Sequence, residues 1–558
     1  MKRKLLSALS ALACILPAGA QDMYYAKELG ASHYYGTARS VSLGNAMTAL
    51  GGDPGAVGLN PAGSAVASYS VFTLTPGVVI SATSSAYAPN GTLYEDAQSY
   101  VKPRMALPNI ALGLNFDKTG SFVRRVSFGF YANTVHSFQS YTTASGRNDL
   151  TSYAAMLAAA SNGIAPGNLG GIRSAGYNAN MFGYYDAAAW KYMASNESLS
   201  EDGSYHYLTA PIDQRSWHDT YGTHSDILLN LGFQLGSGLY VGANVGFPSY
   251  RYRREDSFFE SAATDVFPVS FVDEQGGVVT TNYKGSSMEY RLNTDATGIY
   301  AKLGFIWLPA AGLRIGAAVQ TPAALRISES WRFVAGSDYA DRKFNGGFEN
   351  GDSYDYSLRT PWLLDFGLAY TFGGVALVSV DYEWKDYSVM RYAERTSRGT
   401  DYTAFYGVNE TNRLFCGASH SLRVGTEIRP LPMLALRAGF SLVTDPEKIW
   451  TASDGQTYTA DDYLDADGKP LPVILKTYKY KEAATYAWSL GVGYSSPGSF
   501  FLDAAVRLAC FPQEYFAPYY YGGYEAVDGT GRNCGYVMPM ERIGRRLWDV
   551  LLTFGWRF

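Results

Sequence analysis

The residues able to do chemistry are few and scattered. There are six histidines, His33, His136, His206, His218, His224 and His420. None stands in an HExxH spacing, so no zinc site is readable and no metal ligand is assigned. His218 and His224 lie close in sequence with no cysteine nearby, and such an imidazole pair can ligate a haem iron. No Walker loop and no G-x-S-x-G elbow occurs, and no Ser/His/Asp set can be read off. No catalytic residue and no cofactor is therefore assigned. Four cysteines, Cys14, Cys416, Cys510 and Cys534, are too few for a disulfide-built scaffold. Cys510 and Cys534 flank one loop and are candidates to pair, while Cys416 has no evident partner.

Charged residues recur at polar positions of alternating segments. Arg314, Arg423, Arg437 and Arg507 admit two readings. They can meet a carboxylate headgroup, or they can pair across strands with Asp365, Asp381, Glu427 or Asp503, and cross-strand pairing is the commoner use. Over the whole chain acids outnumber bases, 50 to 45, which is the wrong balance for a nucleic-acid binder. With 47% apolar and 15% aromatic residues in 558, disorder is excluded.

The elements that must position these side chains are strands. Trp362, Leu364, Phe366, Leu368, Tyr370 and Phe372 are apolar on even positions, with Asp365, Gly367 and Thr371 between them. Tyr486, Trp488, Leu490, Val492 and Tyr494 alternate in the same way with Thr485, Ser489, Gly491 and Gly493. Such period-two segments fall near 66–84, 108–117, 122–136, 226–236, 238–250, 296–308, 312–320, 361–372, 374–388, 419–429, 432–444, 484–495, 499–511 and 547–558. Short turns such as Gly236-Ser237-Gly238 and Ser496-Pro497-Gly498 alternate with long loops, at 85–107, 137–225, 251–295, 321–360, 389–418, 445–483 and 512–546. An even strand count, short turns on one side and long loops on the other predict an all-β membrane protein, a 14-stranded antiparallel transmembrane β-barrel. Hydrocarbon offers no hydrogen-bond partner, so a sheet within it must close. Trp307, Trp362, Tyr370 and Trp384 suit the interfacial girdles. A soluble β-sandwich, the competing reading, would not alternate its loop lengths in this way.

The two ends add an address. Lys2-Arg3-Lys4, an apolar stretch from Leu5 to Leu16 and Ala18-Gly19-Ala20 make a signal peptide over 1–20. The last strand alternates through Val550, Leu552, Phe554 and Trp556 to Phe558, resembling the signal read by the bacterial barrel-assembly machinery. A Gram-negative outer membrane is the expected location.

Fourteen strands leave a lumen that barrel side chains cannot fill. Residues 21–65 do not read as strand and are the expected plug, with residues 66–558 forming the barrel. Val41, Leu43, Met47 and Leu50 suit a short amphipathic helix. Asp53-Pro54 and Asn60-Pro61 each set a capping side chain before a proline. A flexible periplasmic tail would not be this rich in caps.

Gly36-Thr37-Ala38-Arg39-Ser40, Ala46-Met47-Thr48-Ala49-Leu50-Gly51-Gly52-Asp53 and Asn60-Pro61-Ala62-Gly63 resemble the N-terminal hatch of the long-chain fatty acid transporter family, which includes aromatic-hydrocarbon uptake porins. Ser379-Val380-Asp381-Tyr382-Glu383-Trp384 and Arg423-Val424-Gly425-Thr426-Glu427 extend the likeness downstream, in the form of Bacteroidetes members. The resemblance implies a helical hatch in the lumen, with Asn60, Pro61 and Ala62 as hatch-motif residues. It implies capture of hydrophobic ligand from outside, a hatch rearrangement and sideways exit beside a kinked strand. The implied function is passive uptake of long-chain fatty acids or similar lipophilic compounds by a monomer in contact with outer-membrane lipid. The alternatives are a haem or hydrophobic-ligand receptor and an outer-membrane partner of a secretion system.

The longest loop, 137–225, does not align with the family's ligand-binding loops. It carries two helix-like stretches, Leu150 to Ala160 and Asn180 to Ala194. Met156, Leu157, Phe182, Tyr185 and Trp190 on these are the expected ligand contacts, forming either a greasy groove or a lid.

Overall fold

A computed structural model describes residues 22–91, 93–118, 122–272, 278–349, 353–396, 399–453, 455–464, 469–519, 525–535 and 537–558. The expected signal peptide lies outside the described residues.

Fourteen strands run antiparallel around a closed cylinder. They are β1 (Val71–Ala88), β2 (Gln98–Asp117), β3 (Val123–Ser137, continued by Ser140–Asn148), β4 (Ile212–Leu235), β5 (Leu239–Ala262), β6 (Val278–Ala310) and β7 (Leu313–Gln320, continued by Ala324–Tyr339). There follow β8 (Tyr354–Arg359, then Leu363–Phe372), β9 (Ala376–Asp386, then Arg391–Thr396), β10 (Ala418–Leu431), β11 (Leu434–Thr444), β12 (Ala484–Ser495), β13 (Phe500–Cys510) and β14 (Met540–Arg557). Each pairs with the next, and β14 pairs with β1 from Val71↔Arg557 to Ala88↔Met540. The cylinder has no free edge where it closes, which is how a sheet survives in hydrocarbon.

The outer wall is apolar. Leu303, Phe305, Trp307, Phe366, Leu368, Tyr370, Trp488, Leu490 and Trp556 are exposed, while the residues between them point into the lumen. A greasy surface of this extent in water is a liability; against acyl chains it is the stable arrangement.

The strands outrun the alternation that revealed them. β6 is 33 residues long, about three times what a membrane needs. Much of the expected loop 251–295 is therefore paired strand, as are the continuations of β3 and β7. The reason is physical. Above the membrane the outer face meets water, so the apolar-out pattern ends while the backbone ladder continues.

Two local expectations are corrected. The stretch Asn180 to Ala194 is a hairpin, Phe182–Asp186 against Lys191–Ala194, not a helix. Asn180 and Trp190 both take left-handed backbone (φ 51° and 48°), which interrupts a helix, and Tyr184 faces Tyr192 across the turn. The expected hatch helix from Val41 to Leu50 stops early. Helix α2 covers only Ala38–Ser42, and Gly44 and Asn45 then adopt positive φ, turning the chain through Leu43 to Leu50. The helix preceding it, α1 (Met23–Gly30), capped by Asp22, was not expected.

Candidate functional site

The first 45 described residues fill the lumen. α1 and α2 are followed by two 3₁₀ turns, Pro54–Ala56 and Pro61–Val66. Asp53 and Asn60 cap these turns by accepting from Gly55 N and Ala62 N, as the Asp-Pro and Asn-Pro pairs predict. Asn60 does more than cap. Its Nδ2 donates to Thr48 O at 2.7 Å and to Phe305 O of β6 at 2.9 Å, pinning hatch to hatch and hatch to wall. Pro61 and Ala62 lie buried against Gly242 of β5.

The hatch fits because the wall has made room. Inward-facing glycines on successive strands, among them Gly242, Gly316, Gly425 and Gly439, are so close to hatch backbone that a Cβ would sit 2.1–2.5 Å from it. Small residues on both sides allow two backbones to touch.

Lumen charges hold the rest. Arg437 bridges Glu427 (2.7 Å) and Asp503 (2.5 Å), and Arg39 of α2 joins Glu427 at 3.1 Å. Arg423 meets Asp365 and Glu383, and Lys302 also meets Asp365. Arg507 pairs with Asp549 and donates to the carbonyls of His33 and Tyr34. Asp381 accepts from Thr48 N at 2.7 Å. Of the four arginines marked in the sequence, three are in cross-strand pairs. Arg314 instead donates to Leu50 O at 2.6 Å.

Above the hatch lies a cavity of about 330 Å³. Its walls are Tyr252, Phe258, Met288, Leu292 and Phe333, its floor is α1 through Tyr24, Tyr25 and Glu28, and its roof includes Tyr153 and Ile172. These last two belong to a lid, α3 (Tyr153–Ser161) and α4 (Gly171–Asn178). One side of the cavity is polar, with His218, Arg254, Asp256 and Arg545. A small cavity of about 60 Å³ follows below, between Leu29, Tyr34, Leu59, Tyr250 and Tyr300. Beneath the hatch a polar vestibule of about 450 Å³ opens among Arg39, Asp53, Arg314, Glu427 and Arg437. An apolar chamber outside, a plug, and a charged vestibule inside make one line along the lumen.

The floor is tethered. Lys27 meets Asp445 (3.2 Å) and Glu447 (3.6 Å), and Tyr24 donates to Asp461 at 3.0 Å. Burial, followed by the charges of Asp22 and Glu447, pushes the Asp461 carboxyl up to about 8 against the Tyr24 hydrogen bond. Lys27 is held above its usual range: burial opposes its charge, but Asp445 and Glu447 outweigh that.

The barrel wall is incomplete at one place. β2 pairs with β3 only from Asn109↔Asn133 to Asp117↔Arg125. From Gln98 to Pro108, β2 pairs with β1 alone. Beyond Ser137, β3 breaks and leans toward β1, where Thr83 donates to Tyr141 O. The edge so exposed on β3 is taken by the hatch: His33 N donates to Val135 O (2.9 Å) and Tyr35 N to Thr134 O (3.0 Å).

The expected ligand residues lie elsewhere. Met156, Leu157 and Phe182 are buried inside the lid with Ala175 and Met181, Trp190 packs on that cluster, and Tyr185 is exposed. None of the five lines the cavity above the hatch. The residues that do, such as Phe258 and Met288, lie on β5 and β6 within the expected loop 251–295. His218 and His224 are on β4 rather than in a loop, six residues and about 20 Å apart. Each is held by a carboxylate, Asp256 and Asp226, so they do not converge on one iron. Cys416, Cys510 and Cys534 are all free thiols, and the possible Cys510–Cys534 bond is not formed. Among the described residues no group of three or more His, Cys, Asp or Glu could hold a metal.

No protein-family model and no curated protein matches the chain. Among solved structures it is similar to a Pseudomonas aeruginosa FadL homologue, at 12% identity and a TM-score of 0.47, over 95% of this chain and 100% of that one. It is similar to the P. putida toluene transporter TodX at 13% identity and a TM-score of 0.45, over 95% and 99%. The Ralstonia pickettii toluene transporter TbuX gives 13% identity and a TM-score of 0.42, over 94% and 99%.

Proposed function

We propose that the protein is an outer-membrane transporter that admits hydrophobic small molecules, long-chain fatty acids or similar lipophilic compounds, by passive diffusion through a hatch-plugged barrel. The observation that carries this reading is the apolar cavity of about 330 Å³ set directly on the hatch helix. Its size is in the range of small-molecule sites, and each CH₂ buried in it contributes about 0.8 kcal/mol. The polar side, with Arg254 and Arg545, suits a ligand with one polar end. Exit follows the break between β2 and β3, because an apolar molecule gains nothing by entering the charged vestibule. Opening that route requires the hatch segment around His33 and Tyr35 to leave the β3 edge. The chain functions as a monomer, and its last strand, ending on exposed Phe558, serves the barrel-assembly machinery.

The test is native mass spectrometry with lipid extraction on protein taken from its own membrane, beside a Phe258→Asp variant. Acyl or aromatic ligand on the wild type and at least tenfold less on the variant is the expected result. Recovery of neither from the wild type would overturn the reading.

A further inference from the structure

Just above the apolar belt, some outward-facing arginines of this barrel are paired with acids and others are not. On β5, Arg251 and Arg253 share Asp295 of β6, at 3.9 and 2.8 Å. Further up β7, Arg332 meets Glu349 at 3.5 Å. These arginines are matched. Arg326 of β7, Arg359 of β8 and Arg391 of β9 are different. Among the described residues none of the three forms an ion pair. Arg359 stands directly opposite Arg391 in the ladder, so the two share a face with Cβ atoms about 5 Å apart. Arg326 is opposite Ser357 and so diagonal to Arg359. Like charges placed directly opposite destabilise a sheet unless something lies between them.

The height of the cluster says what that is. Arg326 is opposite Thr297, the next outward position above exposed Ile299 on β6. Arg359 lies three residues beyond Trp362, an exposed girdle residue. Both arginines are exposed, and Arg391 is half-buried, donating to the carbonyls of Ser388 and Met390. The acids near them in sequence are otherwise placed. Asp386 caps Ser388 and Glu410 is taken by Arg413, both reaching Arg391 only at longer range, and Asp355 is exposed on β8, diagonal to Arg326 without forming an ion pair with it. Three cations in a triangle, level with lipid headgroups and with no acid in ion-pair contact among the described residues, fit a phosphate monoester, which guanidinium groups bind with paired hydrogen bonds.

We propose that Arg326, Arg359 and Arg391 form a docking surface on the outer wall for the phosphate of an outer-leaflet glycolipid. The inference rests on the outer-membrane placement proposed above. It is tested with the full chain in phosphatidylcholine nanodiscs, titrated with diphosphoryl lipid A, with the same lipid A enzymatically dephosphorylated, and with inorganic phosphate. Wild type is expected to bind diphosphoryl lipid A at least tenfold more tightly than the dephosphorylated form. R326Q/R359Q and, separately, R359E lose that preference, and R251Q/R253Q keeps it. Heat-modifiable migration on gels checks that each variant is a folded barrel. Equal binding by wild type and R326Q/R359Q would overturn the inference, as would equal affinity for the dephosphorylated lipid. Inorganic phosphate bound as tightly as lipid A would also overturn it, by showing a free-anion site. A wild type that does not enter nanodiscs fails the membrane placement itself. One that enters and shows no phosphate preference fails this inference alone.

Discussion

The Asn60 side chain lies so close to Gly304 that a Cβ on the glycine would stand 2.2 Å from Asn60 Oδ1 and 3.0 Å from its Cγ. The contact joins the hatch motif to the barrel wall. It also explains why a strand interior carries a glycine, which is otherwise a poor strand residue.

Gly304→Ala is therefore expected to unseat the hatch without opening the barrel. Overpacking of this kind costs about 1–3 kcal/mol, and here it falls on the plug because the β6 ladder on either side is intact. Hydrogen exchange should quicken across residues 38–66 and stay unchanged in β10 to β13. Uniform slowing, or loss of the folded barrel, would contradict this.

How much of this arrangement could be read from the sequence depended on where water is. In the membrane every strand has one face in lipid and one in the lumen, so Trp362 to Phe372 alternates cleanly and all fourteen strands could be found. The Asn-Pro and Asp-Pro caps are local chemistry and were also legible. Above the membrane the sense of the alternation inverts: in β6 Met288, Tyr290 and Leu292 turn inward while Glu289, Arg291 and Asn293 meet water, so the stretch does not match an apolar-out strand. That is where the cavity walls Met288 and Leu292 lie, so the lining of the cavity was not legible. Met156 and Phe182 were sought instead because they are apolar in a polar loop, a property that lid cores and ligand sites share. The glycine seats, such as Gly425 against Leu43, were invisible for another reason: nothing in one sequence says which glycine faces which backbone.

Arg437→Ala should weaken the barrel more than any surface change. It leaves buried Asp503 without its ion-pair partner, while Glu427 keeps Arg39 and Arg429. Removing one member of a buried ionic set costs about 3–5 kcal/mol. The midpoint of guanidinium unfolding, monitored by heat-modifiable migration, should fall, whereas Arg332→Ala, on an exposed pair, should move it little.

The tether of α1 should loosen as pH rises. Asp461 titrates near 8 in the folded chain, against 3.8 for a free aspartate. Between those values the folded state holds a proton that the unfolded one lacks, so stability falls as pH climbs through this window. After correction for intrinsic rates, amides of Met23–Gly30 should exchange faster at pH 8.5 than at pH 6, where the acid is protonated. Asp461→Asn should remove most of that difference. An unchanged pH slope in the variant would assign it to another group.

The β3 edge gives the most direct access to the gate. Tyr35 N donates to Thr134 O and His33 N to Val135 O, and no neighbouring strand claims those carbonyls from the β2 side. Tyr35→Pro removes the Tyr35 donor and the buried ring that packs on Val79, Ala487 and Arg507, together about 3–5 kcal/mol of hatch seating, and leaves the barrel ladder untouched. If the hatch must leave this edge for ligand to pass sideways, the variant has part of that work already done. It should release a preloaded fluorescent fatty acid into liposomes several-fold faster than wild type, with unchanged leakage of a charged dye through the lumen. Faster dye leakage instead would mean that this segment seals the pore axis, not the break between β2 and β3.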